Sequence, residues 1–261
     1  MSWKVACIQF DITFGSPQEN VKKVEKLIME TVQKYSPKII VLPELWTTGY
    51  DLTRLDEIGD NNGDTTKKTL QMLAKKHNVH IVGGSVAKNT SKGTYNTMYT
   101  VNDEGDIVGE YSKLHLFQLM YEHLYLQPGK NDGLFQLDGE TCAGVICYDI
   151  RFPEWIRTHT TGGAKVVFVV AEWPLSRLEH WRALLIARAI ENQCYVVAAN
   201  RVGKDPNNVF AGHSMIIDPW GEVLAEGLED EAIVVSDIDL EKVEKVRKQI
   251  PIFEDRKPSY Y

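Results

Sequence analysis

Along the chain, short apolar runs alternate with longer stretches whose apolar positions recur every three or four residues. The short runs predict strands: WKVACIQF, KIIVLPE, VHIVGGSV, YNTMYTV, IVGEYSK, TCAGVIC, AKVVFVVA, CYVVAAN, HSMIID, GEVLAEG and EAIVVSDID. Several are apolar at almost every position, the pattern of a strand covered on both faces. YTVNDEGDIVGEY predicts a hairpin turning through Asp103, Glu104 and Gly105, and IIDPWGEVLAE a second around Pro219 and Gly221.

Helical spacing is clearest after Ser16. Val21, Val24, Leu27, Ile28, Val32 and Tyr35 share one face. Ser16 is placed to cap, Pro17 suits the first helical position, and Glu19 completes a capping box. The pattern predicts further helices over about 64–77, 153–161, 178–192 and 240–249. Gly162 and Gly163 stop the second of these, and Pro251 follows the last. No linker, low-complexity tract or repeat interrupts the chain, so one domain over residues 1–261 is expected. Many strands with interspersed helices predict an α/β fold of two packed sheets with helices outside.

Composition narrows the function. The 261 residues carry a formal net charge of -7, and no block of Lys and Arg breaks the acidic balance. This argues against nucleic acid and against an anionic membrane surface. MSWKVACIQF lacks the apolar region of a signal peptide, and no apolar run approaches the ~20 residues of a membrane span. A cytoplasmic protein is expected. Its four cysteines, Cys7, Cys142, Cys147 and Cys194, form no CxxC pattern and are expected as free thiols.

Three strand ends carry reactive groups. In AGVICYDIRFPEW, Cys147 ends a strand just before a helix expected near Pro153. A thiolate near a helix N-terminus is favoured by the dipole, and the Tyr148 N–H in such a turn can face a bound oxygen. A buried, inert thiol fits the same position. Cysteine chemistry needs a base. The seven histidines (His77, His80, His115, His123, His159, His180 and His213) lie in no catalytic context, and no Gly-x-Cys-x-Gly elbow is present. KIIVLPELWTTGY instead runs an apolar strand into Glu44. A carboxylate in an apolar pocket is pushed toward its protonated form and can shuttle a proton; a loop carboxylate making caps or salt bridges is the alternative. IVGEYSKLHLF places Lys113 after another strand, either as an oxyanion-stabilising ammonium or as a surface charge.

Taken together, LPELWTTGY, YSKLHLF and GVICYDIRFPE resemble the glutamate, lysine and cysteine motifs of the nitrilase, or carbon–nitrogen hydrolase, superfamily. EWP at Glu172–Pro174 and HWRALLIARAIENQCYVVAANRVG extend the likeness over nearly the whole chain. The resemblance implies a four-layer αββα sandwich of two mixed sheets, and a Glu44–Lys113–Cys147 triad hydrolysing a small amide through a thioester. It implies a second glutamate supporting the lysine, here Glu122 in LMYEHLYLQPG, which otherwise reads as an exposed helix carboxylate. It also implies a homodimer or higher homo-oligomer, with helices beside the cysteine motif at the interface.

MYEHLYLQPG, CYDIRFPEW and ARAIENQCYVVAANRVG look most like the ω-amidase branch, which hydrolyses amides such as 2-oxoglutaramate. A carbamoyl-amide hydrolase or other aliphatic amidase is the alternative within enzymes; a binding or scaffold protein on the same fold is the alternative outside them. The substrate's free carboxylate calls for a cation. Arg151 is placed for it, or for pairing with Asp149 or Glu154. Trp46, Tyr121 and Trp173 are candidate pocket walls, or core. The chemistry calls for no metal and no organic cofactor. The tail KQIPIFEDRKPSYY is polar and proline-punctuated, expected at the surface or against a neighbouring subunit.

Overall fold

The computed structural model describes residues 1–260; Tyr261, the end of the tail, lies outside the described residues. In chain order the strands are β1 (Ser2–Gln9), β2 (Ile39–Val41), β3 (Asp60–Asn61), β4 (His80–Thr90), β5 (Gly93–Val101), β6 (Ile107–Ser112), β7 (Leu134–Leu137), β8 (Glu140–Ile146), β9 (Val166–Ala171), β10 (Tyr195–Asn200), β11 (Met215–Ile217), β12 (Val223–Glu226) and β13 (Ala232–Asp239). The helices are α1 (Pro17–Tyr35), α2 (Leu55–Ile58), α3 (Asp64–His77), α4 (Glu122–Tyr125), α5 (Pro153–Thr161), α6 (Leu178–Asn192), α7 (Glu241–Gln249) and α8 (Ile252–Asp255).

The strands form two mixed sheets. One runs β13-β1-β2-β4-β5-β6, with β3 also on β4; the other runs β12-β11-β10-β9-β8-β7. Strands β1, β2 and β4 are parallel at the centre of the first, and β8, β9 and β10 at the centre of the second. Alternation along the strands makes the layers. Trp3, Val5 and Cys7 of β1, with Ile39 and Val41 of β2, join one core with Phe135, Val145 and Phe168 of the second sheet. Their neighbours Ile8, Ile40 and Ile81 face the other way, against Val24 and Ile28 of α1 and Leu70 and Leu73 of α3. Helices α5 and α6 cover the outer side of the second sheet through Ile156, Trp181, Leu185 and Ala189. The result is an α/β sandwich of two mixed sheets with helices outside.

Both predicted hairpins form, with Gly105 (φ 90°) and Gly221 (φ 86°) in their turns. The capping box before α1 does not. Ser16 makes no side-chain cap, and Glu19 points to solvent. The buried Asn20 amide does the joining instead, accepting from Thr13 N at 2.9 Å and donating to the Thr13 and Thr47 carbonyls at 2.7 and 2.8 Å. The tail after Gln249 is largely exposed, yet Phe253 lies under the guanidinium groups of Arg157 and Arg247 of this same chain. No helix among the described residues is long and apolar enough to cross a membrane.

Candidate active site

Glu44 lies just beyond β2, Lys113 directly after β6, and Cys147 directly after β8, so two strand ends of one sheet meet one of the other. All three side chains are buried. Lys113 Nζ donates to Glu44 Oε1 at 2.8 Å and to Glu122 Oε1 at 2.6 Å. Glu122 is no exposed helix carboxylate. It is fully buried, with Oε2 accepting from Phe117 N at 2.6 Å.

Backbone geometry holds the glutamate. The register of β4 against β5 slips between Val82 and Ser85. At this bulge Ser85 N donates to the Pro43 carbonyl at 3.2 Å, and Ser85 Oγ accepts from Leu45 N at 2.9 Å. Trp46 is the anchor of the same loop. It is fully buried, and its indole N–H donates to the Gly83 carbonyl at 2.7 Å. The reading of Trp46 as a pocket wall is thereby corrected: its ring is packed in the core with α1 and α3.

Four donors converge on Glu44. Oε1 accepts from Lys113, from Asn96 Nδ2 at 2.8 Å and from Tyr50 OH at 3.2 Å; Oε2 accepts from the Glu172 backbone N–H at 2.9 Å. Tyr50 also donates to Glu122 at 2.6 Å. Burial, then Glu122 and Glu44, raise the Tyr50 phenol far above its ordinary range, so it stays a neutral donor. Sequence reasoning missed Tyr50, Asn96 and Glu172 as participants. The signals were an asparagine inside the apolar strand YNTMYTV and an acid ending AKVVFVVAE.

Cys147 stands outside its strand. It opens a short 3-10 turn, Cys147–Arg151, at φ 46°, six residues before α5. Asp149 fixes this turn: its Oδ2 accepts from Ile146 N at 3.0 Å and Tyr111 OH at 2.7 Å, its Oδ1 from His115 N at 3.1 Å. The cysteine turn is thus tied to the loop that carries Lys113. The expected thiolate does not follow from the helix beyond. Burial and the charges of Glu44 and Glu122 raise the thiol well above its usual value, against the opposing pull of Lys113. Lys113 is itself raised well above its ordinary range, because Glu122, Glu44 and Cys147 outweigh its burial.

The thiol opens on a narrow pocket lined by Phe117, Met120, Tyr148, Arg151, Trp173 and Arg177. Arg151 pairs with neither Asp149 nor Glu154. Its guanidinium stacks on Trp173 at 4.7 Å and donates to His180 Nδ1 at 3.3 Å. Arg177, a cation the sequence reading missed, lies over Phe117 at 5.6 Å. Tyr121 is corrected: it is 64% exposed and does not line the thiol pocket, lying in the adjoining depression with Phe14, Leu52 and Tyr125.

One group of metal-capable residues, His80, Asp103 and Asp138, lies among the described residues, away from this pocket. Its ligand atoms are already engaged. His80 Nδ1 accepts from Asp103 N at 3.0 Å, and Lys38 bridges Asp103 and Asp138 at 2.8 and 3.4 Å.

Comparisons with known proteins identify the family. The profile of the carbon-nitrogen hydrolase family matches residues 4–248. The chain is 58% identical to a 2-oxoglutaramate amidase of Bacillus subtilis, over the full length of both. It is 32% identical to the omega-amidase NIT2 of Homo sapiens, over 100% of this chain and 97% of that one. Among solved structures, Saccharomyces cerevisiae Nit3, a member of branch 10 of the nitrilase superfamily, superposes with a TM-score of 0.91 at 27% identity, covering 98% of this chain and 97% of that chain. A buried acid, amine and thiol on this sandwich, with a family match across nearly the whole chain, make the protein a member of the carbon–nitrogen hydrolase family, an amidase that cleaves non-peptide C–N bonds.

Proposed function

We propose that the chain hydrolyses the ω-amide of a small α-keto acid such as 2-oxoglutaramate, with Cys147 as nucleophile, Glu44 as acid–base and Lys113 as the oxyanion's cation. The observation that carries this reading is the pocket exposing the thiol beside Arg151 and Arg177, which form no ion pair among the described residues. Glu44 takes the Sγ proton as sulfur attacks the amide carbon. Lys113 and the Tyr148 N–H hold the oxyanion, with Glu122 and Tyr50 fixing the ammonium. Glu44 gives its proton to the nitrogen, ammonia leaves, and a thioester remains. Glu44 then deprotonates water, whose attack releases the acid and returns the thiol. Arg151, with Arg177 beside it, takes the substrate's free carboxylate, and Trp173 forms the wall between them and the protein interior.

The 58% identity to a 2-oxoglutaramate amidase supports this substrate over a carbamoyl amide. Ammonia release from 2-oxoglutaramate, set beside N-carbamoyl amino acids and nitriles, tests it; faster turnover of a carbamoyl substrate would replace the assignment. The same reading has the enzyme acting in the cytoplasm as a homodimer or larger homo-oligomer. Four buried free cysteines suit a reducing compartment. Exposed Ile190 on α6 and Trp220, in the turn that packs against it, suit self-association. Sedimentation equilibrium returning a monomer would remove the oligomer.

A further inference from the structure

Glu172 follows β9 directly and is fully buried behind Glu44. Its backbone N–H already serves Glu44 Oε2; its carboxylate serves nothing in the pocket. Oε2 accepts from Arg201 Nη1 at 2.7 Å, and Oε1 has no hydrogen-bond partner among the described residues. Arg201, also fully buried, divides its charge: Nη2 donates to Asp11 Oδ1 at 2.8 Å and to the Ile12 carbonyl at 3.0 Å.

Counting charges around the site exposes an imbalance. Glu44, Glu122 and Glu172 are three buried acids facing two buried cations, Lys113 and Arg201, and Asp11 already engages Arg201 from the protein's edge. An ionised carboxylate in such a place needs donors, and an unpaired charge there is costly. Glu44 is met by Lys113, Asn96 and the Glu172 N–H, and Glu122 by Lys113 and Phe117 N, with the single Tyr50 hydroxyl proton between the two carboxylates. The Glu172 carboxylate has one donor. We propose that Glu172 is a positioning residue that holds a proton in the resting enzyme, leaving Glu44 as the anion of the pair and free to act as base.

This inference rests on the reading of Glu44 as the acid–base. The groups facing the Glu172 carboxyl are Arg201, Glu44 and Asp205, with Tyr50 close by. Burial raises its pKa to about 8, Arg201 opposing and Glu44 and Asp205 adding to the rise. Ionisation of Glu172 then sets a second negative charge beside Glu44. The added charge opposes return of the thiol's proton to the departing amine.

Two measurements test this. Infrared spectra of the wild-type protein, titrated with alkali, are expected to lose a carboxylic-acid carbonyl band near pH 8 that the Glu172→Gln protein lacks. The alkaline limb of kcat/KM for amide hydrolysis is expected to move upward by about one pH unit or more in that variant. A wild-type spectrum with no protonated-carboxyl band at neutral pH overturns the proposal, as does an unshifted limb. If Glu172→Gln fails to fold, Glu172→Asp takes its place: a displaced band and limb support the assignment, and an unmoved pair overturns it. Failure of the Glu44 reading registers separately, as an active Glu44→Gln protein whose Glu172 band is intact.

Discussion

Burial and the carboxylates of Glu44 and Glu122 all press the Cys147 thiol to keep its proton, and Lys113 alone opposes them. A raised pKa means the protonated form prevails at every pH below it. At pH 7 the thiolate absorbance of wild type and of Cys147→Ala is therefore expected to be the same in the absence of substrate. A thiolate signal unique to wild type would mean that no base is needed. The proposed mechanism then needs Glu44 as base, and Glu44→Gln should lower kcat by about 10²–10⁴-fold. Lys113→Ala removes the oxyanion's cation, worth about 10²–10³-fold. It also leaves Glu44 and Glu122 buried without their shared partner, so its melting temperature should fall as well. Steady-state ammonia release and thermal melts separate these effects; undiminished turnover in either variant would remove that residue from the mechanism.

At the scale of elements, the bulge in β4 is what holds the Glu44 loop. Gly84 has φ 60°, and a Cβ there would stand 2.1 Å from the Pro43 carbonyl oxygen and 2.8 Å from the Trp46 ring. Gly84→Ala is therefore expected to push the Glu44 loop, losing stability by more than the roughly 1–2 kcal/mol of left-handed strain and lowering kcat together with it. Gly139→Ala is the control: φ is 80° there, but nothing lies within 4 Å of the added Cβ. It should show the strain without the loss of kcat; equal kcat in the two variants would deny the bulge its part. The elements themselves were largely legible. Apolar spacing marked α3, α5 and α6, and the hairpin turns were marked by their glycines. The cap of α1 was misread, because Asn20 reaches back across the turn in a way that no local pattern records. β7 was missed, since LFQL is too short to separate from a loop.

Over the whole molecule, the site exists because the two sheets bring chain segments from far apart to one junction. Glu44 of the first sheet accepts from the Glu172 backbone of the second, 128 residues later. Glu44, Lys113 and Cys147 were legible because each interrupts an apolar strand end with a reactive group. Tyr50 and Arg177 were not, because their contacts with Glu122 and Phe117 join segments far apart in the chain; Asn96 left only the mark of a polar residue inside an apolar strand. The two aromatic misplacements have the same origin: the sequence marks Trp46 and Tyr121 as near the motifs, not which way their rings face. The central claim is that Cys147 carries the acyl group between release of ammonia and entry of water. Rapid acid quench of wild type turning over 2-oxoglutaramate, followed by peptide mass spectrometry, tests it most directly. The account predicts a thioester on the peptide containing Cys147, of substrate mass less ammonia; steady ammonia release with no adduct there would contradict it.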